Sequence, residues 1–317
     1  FTGKDLLRTT LRANNFQNSS FGALGTNALA DASNPSNVGT DGFALNRLFY
    51  QFPVGNGVTA TFGAKVRQDD MLAMWPSAYN ADGILDRMTY AGAPGAYSLN
   101  LGAGAGLQYK NANGFNLSAA YVSNQLNTGN TTTNTVTTGT VGNQEAGLGG
   151  ASSTTIQVGY AKDNWGMAFA YNYLNAATQI ALNDFNASYL VNGSNNLGFS
   201  AYWQPKTTGF VPSISAGVGT SYYNGGGDTT TWQVALQWND AFIKGNALGM
   251  AYGDMQTGGN STAPTNAYEL FYKFQVTDNI SVTPALYYLS QTAGQLGKAN
   301  DSSVNNFGGL IKTTFKF

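Results

Sequence analysis

The sequence predicts an all-β fold: a transmembrane antiparallel β-barrel with about 14 strands in this chain. Three observations predict it. Stretches of about ten residues alternate apolar with polar side chains between runs of Gly, Asn, Asp, Ser and Thr, as in strands with one apolar and one polar face. Only 10% of the residues are charged, 13% are aromatic and 40 are glycine, whereas a soluble domain carries about a quarter charged residues. No run of about eighteen apolar residues exists to form a membrane helix, and the mean hydropathy of -0.20 fits strands whose lipid-facing and lumen-facing positions cancel.

The first strand carries Leu7, Thr9 and Leu11 on one face and Leu6, Arg8, Thr10 and Arg12 on the other. Residues 14–43, rich in Asn, Ser, Gly and Asp, read as a long loop. The second strand is Ala44–Phe52, with Leu48, Tyr50 and Phe52 outward and Arg47 and Gln51 inward, and Pro53–Gly57 reads as a tight turn. In the third, Val58–Arg67, Val58, Ala60, Phe62, Ala64 and Val66 alternate with Thr59, Thr61, Gly63, Lys65 and Arg67, which places both cations toward water.

A long segment, Gln68–Gly95, follows and contains Asp69, Asp70, Asp82, Asp86 and Arg87. The fourth strand is predicted to run from Tyr97 to Tyr109, with Asn100 and Gln108 inward. Its end tyrosines lie roughly 40 Å apart along an extended strand, or about 30 Å along the membrane normal at a tilt near 45°. Within it, Gly102-Ala-Gly-Ala-Gly106 lacks the spacing and following helix of a nucleotide-binding loop. It reads either as a thin wall against which an inner loop or a neighbouring subunit packs, or simply as wall built of small residues.

Further strands are expected at Phe115–Val122, Thr154–Lys162, Trp165–Tyr173, Asn196–Trp203, Val211–Tyr222, Trp232–Asn239, Ala247–Asp254, Ala267–Val276 and Ile280–Ser290. Asn111–Gly114 and Asp163–Asn164 are short turns, while Asn124–Ser153 is too polar to pack. Pro212 and Pro284 are expected at strand ends or bulges. The closing strand, Val304–Phe317, places Phe307, Gly309, Ile311, Thr313, Phe315 and Phe317 on one face and Asn306, Gly308, Lys312, Thr314 and Lys316 on the other. Short turns alternate with longer loops, and no domain boundary interrupts residues 1–317.

Composition narrows the function. Cysteine and histidine are both absent, which removes thiolate nucleophiles, Ser-His-Asp triads and the usual zinc and iron ligand sets. Fifteen basic against sixteen acidic residues give no global field for nucleic acid. The acids lie mostly in loops and turns rather than paired in a cleft, so no enzyme activity, cofactor or resident metal is expected. Asn-x-Ser/Thr triplets such as Asn130-Thr-Thr132 are those expected by chance in so Asn- and Thr-rich a chain.

The aromatic closing strand resembles that of bacterial outer-membrane β-barrels, where the terminal pattern is read by the assembly machinery. The opening, Phe1-Thr-Gly-Lys-Asp-Leu-Leu-Arg-Thr-Thr-Leu-Arg-Ala-Asn-Asn-Phe16, resembles cyanobacterial outer-membrane porins that carry an S-layer-homology domain ahead of the barrel, within the carbohydrate-selective porin superfamily. Asn46–Pro53, Asp163–Tyr171 and Lys312–Phe317 are similar to the same family, so the matches are spread over the whole chain. Thr10 stands where the family often has a basic residue and Asn14 where glycine is common, which removes one lumen charge.

The resemblance implies a bacterial outer-membrane location, contact with outer-membrane lipid and a homotrimer. It also implies a complete barrel of about 16 strands, preceded by a cell-wall-binding domain for a peptidoglycan-linked polymer, a coiled coil and a first hairpin. The chain begins at Phe1 with neither an initiator Met nor a signal segment, so those parts are expected upstream of a trimmed product.

Two lumen features follow. Arg8, Arg12, Arg47, Lys65 and Arg67 from the first strands and Lys273, Lys312 and Lys316 from the last, with Glu269 as the inward acid, make one basic wall if closure brings the two ends together. They act either as an anion-favouring filter or as rim charges paired with loop acids. With a hairpin upstream, segment 69–86 becomes the third outside loop, which in trimeric general porins folds into the lumen. Its acids would then face the basic wall and set a transverse field across the constriction. The alternatives are a solvated loop or a weak Ca²⁺ site at Asp69 and Asp70.

The expected function is passive diffusion of small hydrophilic solutes and inorganic ions through a water-filled channel. A narrower sugar or iron-uptake channel would need an aromatic track, for which Phe49, Tyr202, Phe271 and Tyr287 are the inward aromatics available. A barrel that mainly anchors the outer membrane to the cell wall is the alternative from another class.

Overall fold

Tight turns set the topology. A computed structural model describes residues 3–14, 42–79, 83–123, 152–175, 193–224, 228–254, 266–290 and 305–317. Its strands are β1 (Leu6–Asn14), β2 (Gly42–Gly55), β3 (Val58–Arg67), β4 (Leu101–Lys110), β5 (Phe115–Ser123), β6 (Ser152–Lys162), β7 (Trp165–Leu174), β8 (Ser194–Trp203), β9 (Ser213–Tyr223), β10 (Thr229–Asn239), β11 (Ala247–Asp254), β12 (Asn266–Thr277), β13 (Ile280–Leu289) and β14 (Asn306–Phe315). They form one 14-stranded sheet in chain order, every neighbour antiparallel. Asn56-Gly57 and Asp163 adopt the positive φ that two-residue hairpins require.

Alternation sorts the two faces. Phe169, Phe199, Val218, Leu270, Leu286 and Ile311 are exposed on the outer face, while Ser118, Gln157, Asn172, Ser200 and Gln233 are buried on the inner one. Aromatic residues gather near both strand ends. Trp232, Tyr252, Tyr268 and Tyr288 run side by side toward the end of the long connections, with Tyr252 and Tyr268 stacked at 4.2 Å. Tyr160 with Trp165 and Tyr272 with Phe274 mark the short-turn end. On β7, Trp165 and Tyr173 stand eight residues apart, roughly 27 Å along the strand or about 20 Å along the normal at a 40° tilt. Phe169 lies midway, so Phe169→Arg is expected to cost about 2–4 kcal/mol in a bilayer, measured by urea unfolding from lipid vesicles.

Several expectations are corrected. The fourth strand begins at Leu101 rather than Tyr97, because Leu99 takes a positive φ of 51° and breaks the alternation. Tyr97 is therefore buried inside against Trp75 and marks no membrane boundary. Val66 is inward rather than outward. Phe49 pairs with Gly63 and Leu48 with Lys65, while Gly63 pairs with Gly104 and Val66 with Gly102, so one extra residue on β3 shifts the phase. Lys65 consequently stands opposite the outward-facing Leu48 instead of on the inner wall.

A second bulge, between the pairs Thr10–Arg47 and Leu11–Leu45, turns Asn46 inward beside Arg47. Pro212 precedes β9 as expected, but Pro284 sits inside β13. The ladder to β12 skips from Phe271–Ala285 to Phe274–Val282, so the missing proline amide falls where pairing is already interrupted. Among the described residues no hydrogen-bonded pairing joins β14 to β1, so these two strands are the edges of the 14-stranded sheet.

Candidate functional site

The site is the inner wall of the barrel together with the segment between β3 and β4, of which residues 68–79 and 83–100 are described. Short 3-10 turns at Gln68–Met71 and Asp86–Thr89 give it local shape. Its two stems are tied together by Gln68, which is fully buried. The Gln68 amide NH2 donates to the Ala96 carbonyl (2.8 Å) and to Thr155 Oγ1 on β6 (2.7 Å), and its oxygen accepts from the Leu99 amide (2.9 Å). Asn100 donates to Ser153 Oγ at 3.1 Å.

From there the segment runs across the inner face. The Ala73 amide donates to Ser118 Oγ on β5, and Gln157 of β6 donates to the Met74 carbonyl. The Ala78 and Tyr79 amides donate to Ser215 Oγ on β9 at 2.9 and 3.2 Å. On the return, Gln233 and Thr231 of β10 donate to the carbonyls of Met88 and Gly92, Ser200 of β8 to Ala91, and Asn172 of β7 to Gly95 and Ala96. The wall supplies side-chain donors and hydroxyls to a backbone that forms no sheet of its own, which is how a buried irregular segment avoids orphaned polar groups.

Small inward residues make the room. A side chain at Gly217 would place its first carbon 1.8 Å from the Ala91 carbonyl oxygen, and one at Gly198 would lie 2.8 Å from the side chains of Ala93 and Ala96. Gly106 lies against Met71, which joins Phe49, Val66, Ala120 and Val122 in an apolar cluster. A second cluster unites Leu72, Ala91, Ala93, Ala96, Tyr97 and Ala170. The third packs Tyr79, Ile84, Leu85 and Met88 onto Phe271, Tyr287, Leu289 and the alanines of β10–β13.

The acids and cations meet at the near end of the segment. Asp70 accepts from Arg47 Nε at 2.5 Å, from Arg8 at 3.1 Å and from the Arg67 amide at 2.9 Å. Arg47 and Asp70 have side chains only 3% and 6% exposed. Gln51 and Gln108 both donate to the Asp70 carbonyl. Asp69 takes a two-pronged contact from Arg67, both distances 2.5 Å. These carboxylates touch their guanidinium partners, so they do not face them across a water gap. With both acids engaged by arginine, the pair is also a poor donor set for Ca²⁺.

Burial works against ionisation of Asp69, but the Arg67 contact outweighs it and holds the carboxyl below its usual range. A depressed folded value means that the stabilisation is present above the unfolded value and disappears as pH falls through the folded one. Loss of the Asp69–Arg67 contact by acid, followed by tryptophan fluorescence of Trp75, is therefore expected only below the ordinary carboxylate range.

The remaining sequence-predicted residues divide. Arg12 is exposed on the inner side opposite Ala44, and Lys273 and Lys312 are half-buried and inward. Glu269 is buried, with the Tyr79 hydroxyl and the Ile84 and Leu85 amides on its carboxylate. Asp86 accepts from the Tyr90 hydroxyl within the segment, Arg87 is buried, and Asp82 lies outside the described residues. Phe49, Phe271 and Tyr287 are covered by the segment and so form no solute track, while Tyr202 lies against Gly166. Sequence reasoning missed Gln68, Tyr79 and Ser215. The available signal was the run of inward Gly and Ser on β4–β9, which leaves a volume for something to fill.

An apolar outer surface, a polar inner wall and an internal segment define a membrane-spanning antiparallel β-barrel. No family model matches the chain. It is similar to an uncharacterized protein of Synechocystis sp., 26% identical over 361 residues covering 100% of this chain and 61% of that protein. An uncharacterized protein of Nostoc sp. is 29% identical over 141 residues, covering 42% of this chain and 23% of the other. The chain thus spans less than two thirds of the length of the curated relatives it matches. Among solved structures, the high-pH form of OprB from Pseudomonas putida superimposes with a TM-score of 0.64 at 12% identity, over 100% of this chain and 84% of that one. An anion-selective porin from Comamonas acidovorans gives 0.49 at 12% identity, over 85% and 88%. The OprB likeness shows the fold: this is a β-barrel of the kind that outer-membrane porins build.

Proposed function

We propose that the chain is the barrel of an outer-membrane porin that passes small hydrophilic solutes and inorganic ions by passive diffusion and favours anions. The observation that carries this reading is the distribution of charge on the inner wall. The segment covers inward residues from β2 round to β13, while Arg8 and Arg12 on β1 stay exposed and Lys312 on β14 half-exposed. The part of the wall left to water is therefore basic. Transport has no chemical step, and wall charge with free cross-section decides what passes.

A planar-bilayer recording under a KCl gradient tests it. Ohmic single-channel steps with anion preference are expected, and Arg8→Gln, Arg12→Gln and Lys312→Gln together should lower the anion-over-cation permeability ratio roughly twofold or more. Trimeric assembly, and attachment to a peptidoglycan-linked polymer through sequence outside this chain, rest on the family resemblance and are proposed on that ground.

A second reading, a mainly structural anchor between outer membrane and cell wall, is favoured by how much of the inner wall the segment occupies. Correctly inserted protein that conducts nothing would replace the porin reading with this one.

A further inference from the structure

We propose that Glu269 is the residue that latches the far end of the inserted segment and thereby sets the size of solute the channel admits. The functional half of this inference rests on the porin reading. The latch itself rests on geometry.

Glu269 lies on β12, far round the sheet from the arginines that hold the near end. It is 3% exposed, and an inward carboxylate at such a place is costly unless its oxygens are satisfied. Three donors from the segment satisfy them: the Tyr79 hydroxyl on one oxygen, and the Ile84 and Leu85 amides at 3.2 and 2.6 Å on the other. The donors are residue 79 on one side and residues 84 and 85 on the other, so one carboxylate gathers two stretches of the segment.

A carboxylate accepts from every direction, whereas an amide presents an NH2 toward one of these donors and opposes it. Around the acid, Ala235, Ala251, Ala267 and Ala285 form a shallow socket that receives Tyr79, Ile84, Leu85 and Met88. The socket packs without direction, so the charge-assisted bonds to Glu269 fix the depth and register of the tip.

The native chain has no cysteine, so a single Ile84→Cys reports on the latch without interference. In refolded, vesicle-inserted protein, a water-soluble maleimide should label this site slowly. Adding Glu269→Gln should speed labelling about tenfold or more, and Tyr79→Phe, which changes no charge, should speed it less. Heat-modifiable mobility on gels would confirm that the barrel stays folded in each case. In the same preparations without the cysteine, Glu269→Gln and Tyr79→Phe should raise single-channel conductance and admit larger sugars in liposome swelling.

Equal labelling rates in all three backgrounds overturn the latch. Faster labelling with conductance and exclusion limit unchanged overturns its control of solute size. Faster labelling in a barrel that conducts nothing upholds the latch and removes the porin reading.

Discussion

Alanine at Asp70 is expected to release the near end of the inserted segment at a cost of about 3–5 kcal/mol, the usual effect of removing one member of a buried ion pair. The carboxylate is the hub: Arg47 Nε at 2.5 Å, Arg8 at 3.1 Å and the Arg67 amide at 2.9 Å all converge on it. Without it, Arg47 retains its bonds to Asn46 but has lost its direct carboxylate partner. Arg47→Ala should free the same end less severely, because Asp70 keeps Arg8 and the Arg67 amide. Both variants leave the strand ladders intact, so the change should appear as larger and noisier conductance rather than loss of the barrel.

Selectivity separates the two. Asp70→Ala removes a negative charge beside Arg8 and should raise anion preference, whereas Arg47→Ala removes a positive one and should lower it. Reversal potentials measured beside conductance decide the matter. If both variants shift selectivity the same way, or neither changes conductance, the ion-pair cluster does not hold the segment.

This cluster bears on what wall charge can do. The sequence places cations on the early strands and acids in the following segment, which is compatible with a field across a water-filled gap. Contact at hydrogen-bond distance changes that outcome, because the field of a paired arginine and carboxylate is largely confined to the pair. Arg47 and Arg67 become structural, while Arg8, although it reaches Asp70 at 3.1 Å, keeps a half-exposed side chain on the inner face, as Arg12 and Lys312 do.

Strand order, the two faces and the short turns were legible because the period of two is a local property of sequence. Ala247–Asp254 matches the expected bounds, and the closing strand has its expected faces. Bulges were not legible. Nothing in Ala64-Lys65-Val66 announces the extra residue that turns Val66 inward, since the clue lies in the partners Leu48 and Gly102. Tyr97 misled for a related reason: the alternation that follows it runs on smoothly into the strand, and Leu99 breaks it through a backbone angle that the side-chain pattern does not encode. Arg8, Arg12 and Arg47 could be placed inward because alternation is local, whereas Lys65 was misplaced by the bulge and the partners of the arginines depend on a long irregular segment whose path sequence periodicity does not describe. Glu269 was placed inward, but its three donors come from that segment and were invisible.

The inward glycines carry the other large expected effect. Gly217 on β9 and Gly92 in the segment meet backbone to backbone, and a side-chain carbon on Gly217 would lie 1.8 Å from the Ala91 carbonyl oxygen and 2.7 Å from Ser200 Oγ. No rotamer relieves this, because the clash is with the first carbon itself. Gly217→Ala must therefore push residues 90–93 off the wall and break the Ser200–Ala91 and Thr231–Gly92 bonds, at about 1–3 kcal/mol for each buried group left unpaired. Gly309→Ala is the control, since its nearest neighbour is the flexible end of outward Leu286 at 3.0 Å. Gly217→Ala should raise conductance and make segment residues sensitive to protease added to vesicle-inserted protein, with barrel mobility on gels unchanged, while Gly309→Ala leaves all three as they were. Should Gly217→Ala retain both the conductance and the protease resistance of the parent, the segment does not rest on β9, and the reading of the inner wall as a surface shaped for it fails with that result.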